Sequence, residues 1–281
     1  MIASLRAHSP SRIDKRFAEL RTQNRTGLIP FITAGDPLPD ATVAIMHALV
    51  DAGADLIELG VPFSDPMADG PVIQHANERA LARGVSLARI LGWVRDFRAR
   101  DAATPIVLMG YLNPIEIHGT ARFAHEAREA GVDGVLVVDC PVEEIESLAE
   151  IHAAGLSRIL LAAPTTAETR LRAICAAAEG FLYYVSFAGI TGADRLSMDD
   201  VRGRVATIKR EAATPVAVGF GVRDATSAVA IGAFADAVVI GSALVDRLAG
   251  SADAADASAR ARGFLAPIRS ALDARAASHV A

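Results

Sequence analysis

Lysine is almost missing from this chain of 281 residues, in which Lys15 and Lys209 are the only two. Lys15 lies in a charged N-terminal segment, and Lys209 lies in Ala206-Thr-Ile-Lys-Arg-Glu211, which reads as an exposed helix end. Neither stands at the end of an apolar strand, so Schiff-base chemistry has no lysine to use. An anionic ligand would have to be held by backbone N–H groups and helix termini more than by ammonium groups. Cysteine is equally scarce. Cys140 and Cys175 are too few for a disulfide framework or a zinc cage, which points to the reducing cytoplasm. Histidines 8, 47, 75, 118, 125, 152 and 279 show no two-His-plus-carboxylate spacing, so no catalytic metal is expected.

Other absences narrow the class further. No uninterrupted apolar run approaches the ~18 residues of a membrane span, and Met1–Pro10 lacks the apolar core of an export signal. A net charge of −5 with no basic run argues against nucleic acid as partner. The chain is 52% apolar and 22% charged, enough for a large core. No linker or composition break divides it, so one domain spanning residues 1–281 is expected.

Short apolar or β-branched runs alternate with longer segments of helical periodicity. The predicted strands are Leu28–Thr33, Leu56–Gly60, Pro105–Met109, Val135–Val138, Arg158–Ala162, Phe181–Val185, Pro215–Val218 and Ala237–Ile240. Strands joined by helical connections pair in parallel through right-handed crossovers. Eight such units in about 250 residues match an α/β (β/α)₈ TIM barrel, with a doubly wound open sheet as the alternative. Ser11–Thr22 should add an N-terminal helix closing the barrel bottom, and Ala252–Ala277 a last helix interrupted at Pro267. Asp40 or Thr42 can cap the segment ending near Asp51. Ala52-Gly-Ala-Asp55, Glu129-Ala-Gly-Val-Asp133 and Ile231-Gly-Ala-Phe234 look like one αβ turn used three times.

In a parallel barrel the loops after the strands share one face, and active sites are built there. The second of these segments, Glu58-Leu-Gly-Val-Pro-Phe-Ser-Asp-Pro-Met-Ala-Asp-Gly-Pro71, holds two carboxylates. Glu58 stands in an apolar strand, pointing either into the barrel mouth or towards the helices. An unpaired charge there is costly, so its pKa should rise towards the range useful for proton transfer near pH 7. Asp69 is a second candidate, although Asp-Gly is also a routine turn; Asp65 reads as a turn former or surface contact. Phe31, Ile73, Met109, Tyr111, Leu136 and Phe220 could make an apolar mouth, or could simply pack. Tyr183 and Tyr184 should face opposite sides, one of them lining the mouth. Gly219-Phe-Gly221 and Gly241-Ser242 follow strands seven and eight, the usual phosphate position in these barrels, and Gly189–Gly192 could add amides from the sixth loop. Cys140 reads as packing, and His75 as an exposed helix position.

These residues resemble the tryptophan synthase alpha-subunit family over nearly the whole chain. The resemblance is carried by Pro30-Phe-Ile-Thr-Ala-Gly-Asp-Pro37, Asp51-Ala-Gly-Ala-Asp55, the Glu58–Pro71 segment, Asp139-Cys-Pro-Val-Glu-Glu144, Gly189-Ile-Thr-Gly192 and Gly219-Phe-Gly221. It implies cofactor-free retro-aldol cleavage of indole-3-glycerol phosphate to indole and D-glyceraldehyde 3-phosphate, in tryptophan biosynthesis. It further implies a beta-subunit partner carrying pyridoxal phosphate, in an alpha2-beta2 hetero-tetramer. By the same resemblance Glu58 is the general acid-base group, Asp69 the carboxylate beside the indole N–H, and Tyr183 an active-site tyrosine. Phe31, Ile73, Met109, Leu136 and Phe220 fall at indole-pocket positions; Gly192, Gly221, Gly241 and Ser242 match phosphate-site positions. Pro62 and Asp65, in the second loop, are candidate contacts with the partner. Phe187 stands where some relatives carry arginine. Two alternatives remain: a free-standing lyase that releases indole, and a catalytically silent sugar-phosphate-binding regulatory subunit, which would need neither Glu58 nor Asp69.

Overall fold

The computed structural model of the protein describes residues 10–185, 197–219 and 221–278. Ser11 opens the first helix, α1 (Arg12–Thr22), by accepting from the Asp14 amide while Asp14 caps the Ser11 amide in return. There follow β1 (Gly27–Thr33), α2 (Thr42–Asp51), β2 (Ile57–Gly60), α3 (Pro71–Ala82), α4 (Leu87–Arg98), β3 (Ile106–Gly110), α5 (Leu112–His118), α6 (Thr120–Ala130) and β4 (Gly134–Val137). The second half continues with α7 (Ala149–Ala153), β5 (Ser157–Ala162), α8 (Glu168–Ala177), β6 (Leu182–Val185), α9 (Met198–Glu211), β7 (Val216–Gly219), α10 (Ala225–Gly232), β8 (Ala237–Ile240), α11 (Ser242–Leu248) and α12 (Ala254–Ser278). The eight strands pair in parallel in chain order and β8 closes on β1, so the barrel is chosen over the open sheet.

Side-chain alternation sorts each strand into two cores. Ile29, Leu56, Val107, Leu136, Ile159, Phe181, Tyr183 and Val239 fill the barrel, and Ile13, Phe17 and Leu20 of α1 plug it from below. The intervening residues, such as Leu28, Ile57, Leu108 and Tyr184, pack outwards against the helices. Burial on both sides is why these strands read as continuous apolar runs.

The barrel bottom carries a device repeated four times. Asp55, Asp133, Glu179 and Asp236, each just before an even-numbered strand, accept through a carboxylate oxygen from the backbone N–H of Leu28, Ile106, Arg158 and Val216 at 2.8 Å. Each donates its own N–H back to the carbonyl of the same residue. The start of every odd strand is thereby tied to the start of the next even one. Basic groups complete the acids: Arg16 and Arg269 on Asp55, Arg12 and Arg98 on Asp133, Arg158 and His152 on Glu179, and Lys209 on Asp236.

Three local expectations need correction. Neither Asp40 nor Thr42 caps α2. A 3-10 turn over Pro39–Ala41 runs directly into the helix, Ala41 is its N-cap without a side-chain bond, and the Thr42 hydroxyl accepts from the Gly35 amide instead. The glycine turn recurs twice rather than three times. Gly53 and Gly131 have φ of +95° and +92°, whereas Gly232 lies inside α10, where a Cβ would stand 2.9 Å from Leu272. Close packing against α12 selects that glycine. Finally, α12 runs through Pro267 without interruption. Leu265, Ile268 and Leu272 are buried on both sides of the proline, and their packing offsets a local cost of about 3 kcal/mol.

Candidate active site

Glu58 stands between Phe31 of β1 and Val107 of β3, on the same face as Leu56, and therefore points into the barrel. It is fully buried, and neither carboxylate oxygen has a hydrogen-bond partner among the described residues. Burial alone pushes its pKa up to about 8, so the side chain holds its proton at neutral pH. The open choice left by the strand pattern is settled in favour of the barrel interior, and among the described residues no cation pairs with Glu58.

Asp69 lies in the loop between β2 and α3. Its amide donates to Pro66, and Gln74 of α3 donates to its carbonyl at 2.8 Å. Oδ2 accepts from the Tyr111 hydroxyl at 3.2 Å and from the Asn77 amide at 3.4 Å. Burial raises the Asp69 pKa, while the bonds from Tyr111 and Asn77 pull the other way. The helix that supplies Gln74 and Asn77 is docked to the first loop by a bidentate pair, Arg79 to Asp36, at 2.7 and 2.9 Å. Tyr183 lines the barrel interior, and Tyr184 packs behind it. The Tyr183 phenol is pushed well above its ordinary pKa, by burial first and then by the nearby charges of Glu58 and Asp69. Both carboxylates and the tyrosine thus share one site at the C-terminal end of the barrel.

Around them the apolar residues fall into two groups. Phe31, Ile73 and Met109 pack together with Ala76 and Val245, while Leu136 lies in the barrel interior with Tyr183. Two glycines make room for rings: a Cβ on Gly60 would lie 2.5 Å from the Phe31 ring, and one on Gly219 would overlap the Tyr183 hydroxyl. Gly221 has φ +54° and open space around it. Gly241 is the N-cap of α11, its Cβ direction facing Phe31 and Ile73 at 3.7 and 3.9 Å, and Ser242 begins the helix. Gly219, against Tyr183, and Gly241, against Phe31 and Ile73, therefore border the apolar wall. Gly192 and Phe220 lie outside the described residues, as do Phe187 and Gly189.

Some expected residues have other surroundings. Tyr111 is 4% exposed, and its hydroxyl bonds the second loop, accepting from the Ala68 amide at 3.0 Å besides donating to Asp69. Pro62 is buried, whereas Asp65 is exposed and accepts from Ser64. The large apolar side chain that this loop presents outwards is Met67, 82% exposed, joined at the foot of the third loop by Ile117 at 79%. Asn77 was missed by the sequence reading, although its spacing of four residues from Ile73 puts both on one face of α3. Both lysines belong to helices at the barrel bottom, Lys15 on α1 and Lys209 on α9. His75 is an exposed partner of Glu78. Cys140 is buried with its thiol pKa raised, first by burial. Among the described residues no cluster of three or more His, Cys, Asp or Glu could hold a metal ion, and no helix is long and apolar enough to cross a membrane.

Known proteins share this arrangement. The family described as tryptophan synthase alpha chain matches residues 17–269. Tryptophan synthase alpha chains of Xylella fastidiosa and Xanthomonas oryzae pv. oryzae are 59% and 60% identical over 264 residues, covering 94% and 93% of this chain and 98% of each relative. A crystal structure of the alpha subunit from Legionella pneumophila superposes with a TM-score of 0.88 at 42% identity, covering 95% of this chain and all of the other. A ligand-free tryptophan synthase structure from M. tuberculosis gives 0.83 at 34% identity, covering 94% of this chain and 99% of the other. With its barrel, its buried glutamate and this similarity over nearly its full length, the chain belongs to the tryptophan synthase alpha chain family, lyases of tryptophan biosynthesis that cleave indole-3-glycerol phosphate.

Proposed function

We propose that Glu58 and Asp69 together drive retro-aldol cleavage of indole-3-glycerol phosphate in this site. The observation that carries the reading is the buried Glu58, without a hydrogen-bond partner among the described residues, whose pKa of about 8 keeps it protonated at neutral pH. Cleaving the bond between indole C3 and the glycerol chain needs a proton at C3, which Glu58 supplies. The resulting carboxylate then takes the proton of the adjacent glycerol hydroxyl as the aldehyde forms, so one group serves both transfers. Asp69 accepts the indole N–H and stabilises the positive charge that builds at the ring nitrogen when C3 is protonated.

Phe31, Ile73 and Met109 would pack on the indole ring, with Leu136 and Tyr183 beneath. The phosphate would take the end of the pocket bounded by Gly219, Gly221, Gly241 and Ser242, where bare backbone can approach an anion. Neither lysine is placed for imine chemistry, and the acid-base step requires no cofactor of this chain. A beta subunit carrying pyridoxal phosphate is the proposed partner, in an alpha2-beta2 assembly in the cytoplasm. Met67 of the second loop, 82% exposed, is an apolar side chain available to such a partner.

The test is an indole-release assay of the chain alone and titrated with beta subunit. Slow cleavage alone that rises well beyond additive on titration is expected. Full activity alone with no binding would favour the free-standing lyase, and no indole in either case would overturn the reading.

A further inference from the structure

Asp69 is oriented by a hydrogen-bond chain with a defined direction. The Ala68 backbone N–H can only donate, so at 3.0 Å the Tyr111 oxygen must accept from it. A phenol has one proton, and the other neighbour within reach is Asp69 Oδ2 at 3.2 Å. The order Ala68 N–H to Tyr111 O–H to Asp69 Oδ2 is therefore fixed by chemistry. Asn77, whose amide nitrogen also only donates, adds a second bond to the same oxygen. Among the described residues nothing donates to Oδ1.

The tyrosine is itself held firmly. Its ring packs on Phe63 of the second loop, with centroids 5.0 Å apart, and the next residue, Leu112, donates its amide to Asp139 at 2.8 Å. Tyr111 is thus pinned through the third loop while it grips the second.

We propose that Tyr111 is a positioning residue: it holds Asp69 by Oδ2 as an acceptor and leaves Oδ1 to take the indole N–H. This rests on the lyase reading above. The sequence offers Tyr111 as one residue of an apolar mouth, but here its effect on substrate passes through Asp69. The charge state follows from the same geometry, since two donors on one oxygen favour the carboxylate and oppose the burial that raises its pKa. The other titratable groups around this pair are Tyr183, whose phenol is pushed up in part by the charges of Glu58 and Asp69, and Asp139, whose charge is among those that raise Tyr111.

The test compares wild type, Tyr111→Phe, which keeps the ring packing on Phe63, and Asn77→Leu, which removes the longer bond. Two readouts are taken: kcat and KM for indole release against pH with beta subunit present, and the Asp69 titration followed by carboxyl carbon NMR in substrate-free protein. Tyr111→Phe should lower kcat about 10-fold to 100-fold, the equivalent of one hydrogen bond to a charged group, with KM changed less than about threefold. Its acidic limb, and the NMR titration of Asp69, should move to higher pH, because the carboxylate loses a donor but keeps its burial. Asn77→Leu should move both in the same direction by less. An unmoved Asp69 titration in both variants would overturn the assignment, as would a fall in kcat without a shifted limb. Absence of indole from wild type would instead overturn the lyase reading while leaving the NMR arm decisive for Tyr111.

Discussion

Asp55, two residues before β2, and Glu58, within it, are three residues apart, with 2% and 0% exposure. Asp55, at the bottom, accepts from the Leu28 amide, Arg16 and Arg269. Glu58, whose side chain points into the barrel, has no hydrogen-bond partner among the described residues. Equal burial therefore has opposite consequences. At the bottom the cost of removing a charge from water is offset by two guanidinium groups and a backbone donor, and the carboxylate ties strands together. At the top nothing offsets it, so the cost appears as a raised pKa, which a proton-transfer group can use. The two ends of the barrel divide stability from chemistry through partners rather than through burial.

The sharpest way to break this comparison is Glu58→Gln. It should reduce indole release by ~10²-fold to 10⁴-fold, and by more if one group performs both transfers, because the amide keeps the shape but cannot exchange a proton. Thermal melting below about pH 4.5, where the glutamate is mostly protonated in both states, should change little, since no hydrogen bond is lost. Steady-state assays paired with melting curves decide it, and near-native turnover would remove Glu58 from the mechanism.

Asp55→Ala should do the reverse. It leaves Arg269, only 7% exposed, without its buried carboxylate and the Leu28 amide without an acceptor, a loss of ~3–5 kcal/mol by analogy with broken buried ion pairs. Urea unfolding measures this loss, while turnover per folded molecule should stay near wild type. A variant that unfolds like wild type would show that the bottom acids do not carry the fold.

The two ends should also separate with pH. The folded pKa of Glu58, about 8, lies above its unfolded value of 4.5, so the native state keeps a proton that the unfolded chain releases. The stabilisation this confers is complete below about pH 4.5 and declines as pH rises through 8, by a few kcal/mol in total. Glu58→Gln should lose that decline, so urea unfolding at pH 5 and pH 8 should bring the variant up relative to wild type. The kcat/KM of wild type should fall on the alkaline side near the same pH as the proton donor is lost. Parallel stability profiles for variant and wild type would contradict an unpartnered Glu58.

The smallest contrast sets the proposed phosphate end against Lys209, a cation at the barrel bottom. Gly221→Val, at φ +54°, should strain the backbone by about 1 kcal/mol and raise the Kd for glycerol phosphate about 10-fold in calorimetric titration. Lys209→Ala should leave that Kd unchanged and cost at most about 1 kcal/mol, because its pair with Asp236 is partly exposed. Equal affinities in both variants would move the phosphate away from Gly221.

By itself the sequence determined the alternation of strands and helices, the helix plugging the bottom, and the face that carries the site. These are properties of period and composition, and they survive packing because each element must bury its apolar side somewhere. Glu58 was legible for the same reason: a carboxylate in a run such as Leu56-Ile-Glu-Leu-Gly60 conflicts with its neighbours whichever way it points. Tertiary structure alone decided the partners. Nothing local shows that Asp55 meets Arg269 from the last helix, or that Glu58 has no hydrogen-bond partner among the described residues. Nor could spacing show that Tyr111 grips Asp69, that Pro62 is buried while Met67 is not, or that α12 would run through Pro267. Each depends on residues brought together from distant parts of the chain, and the free energy of burying a polar group is set by what it meets there.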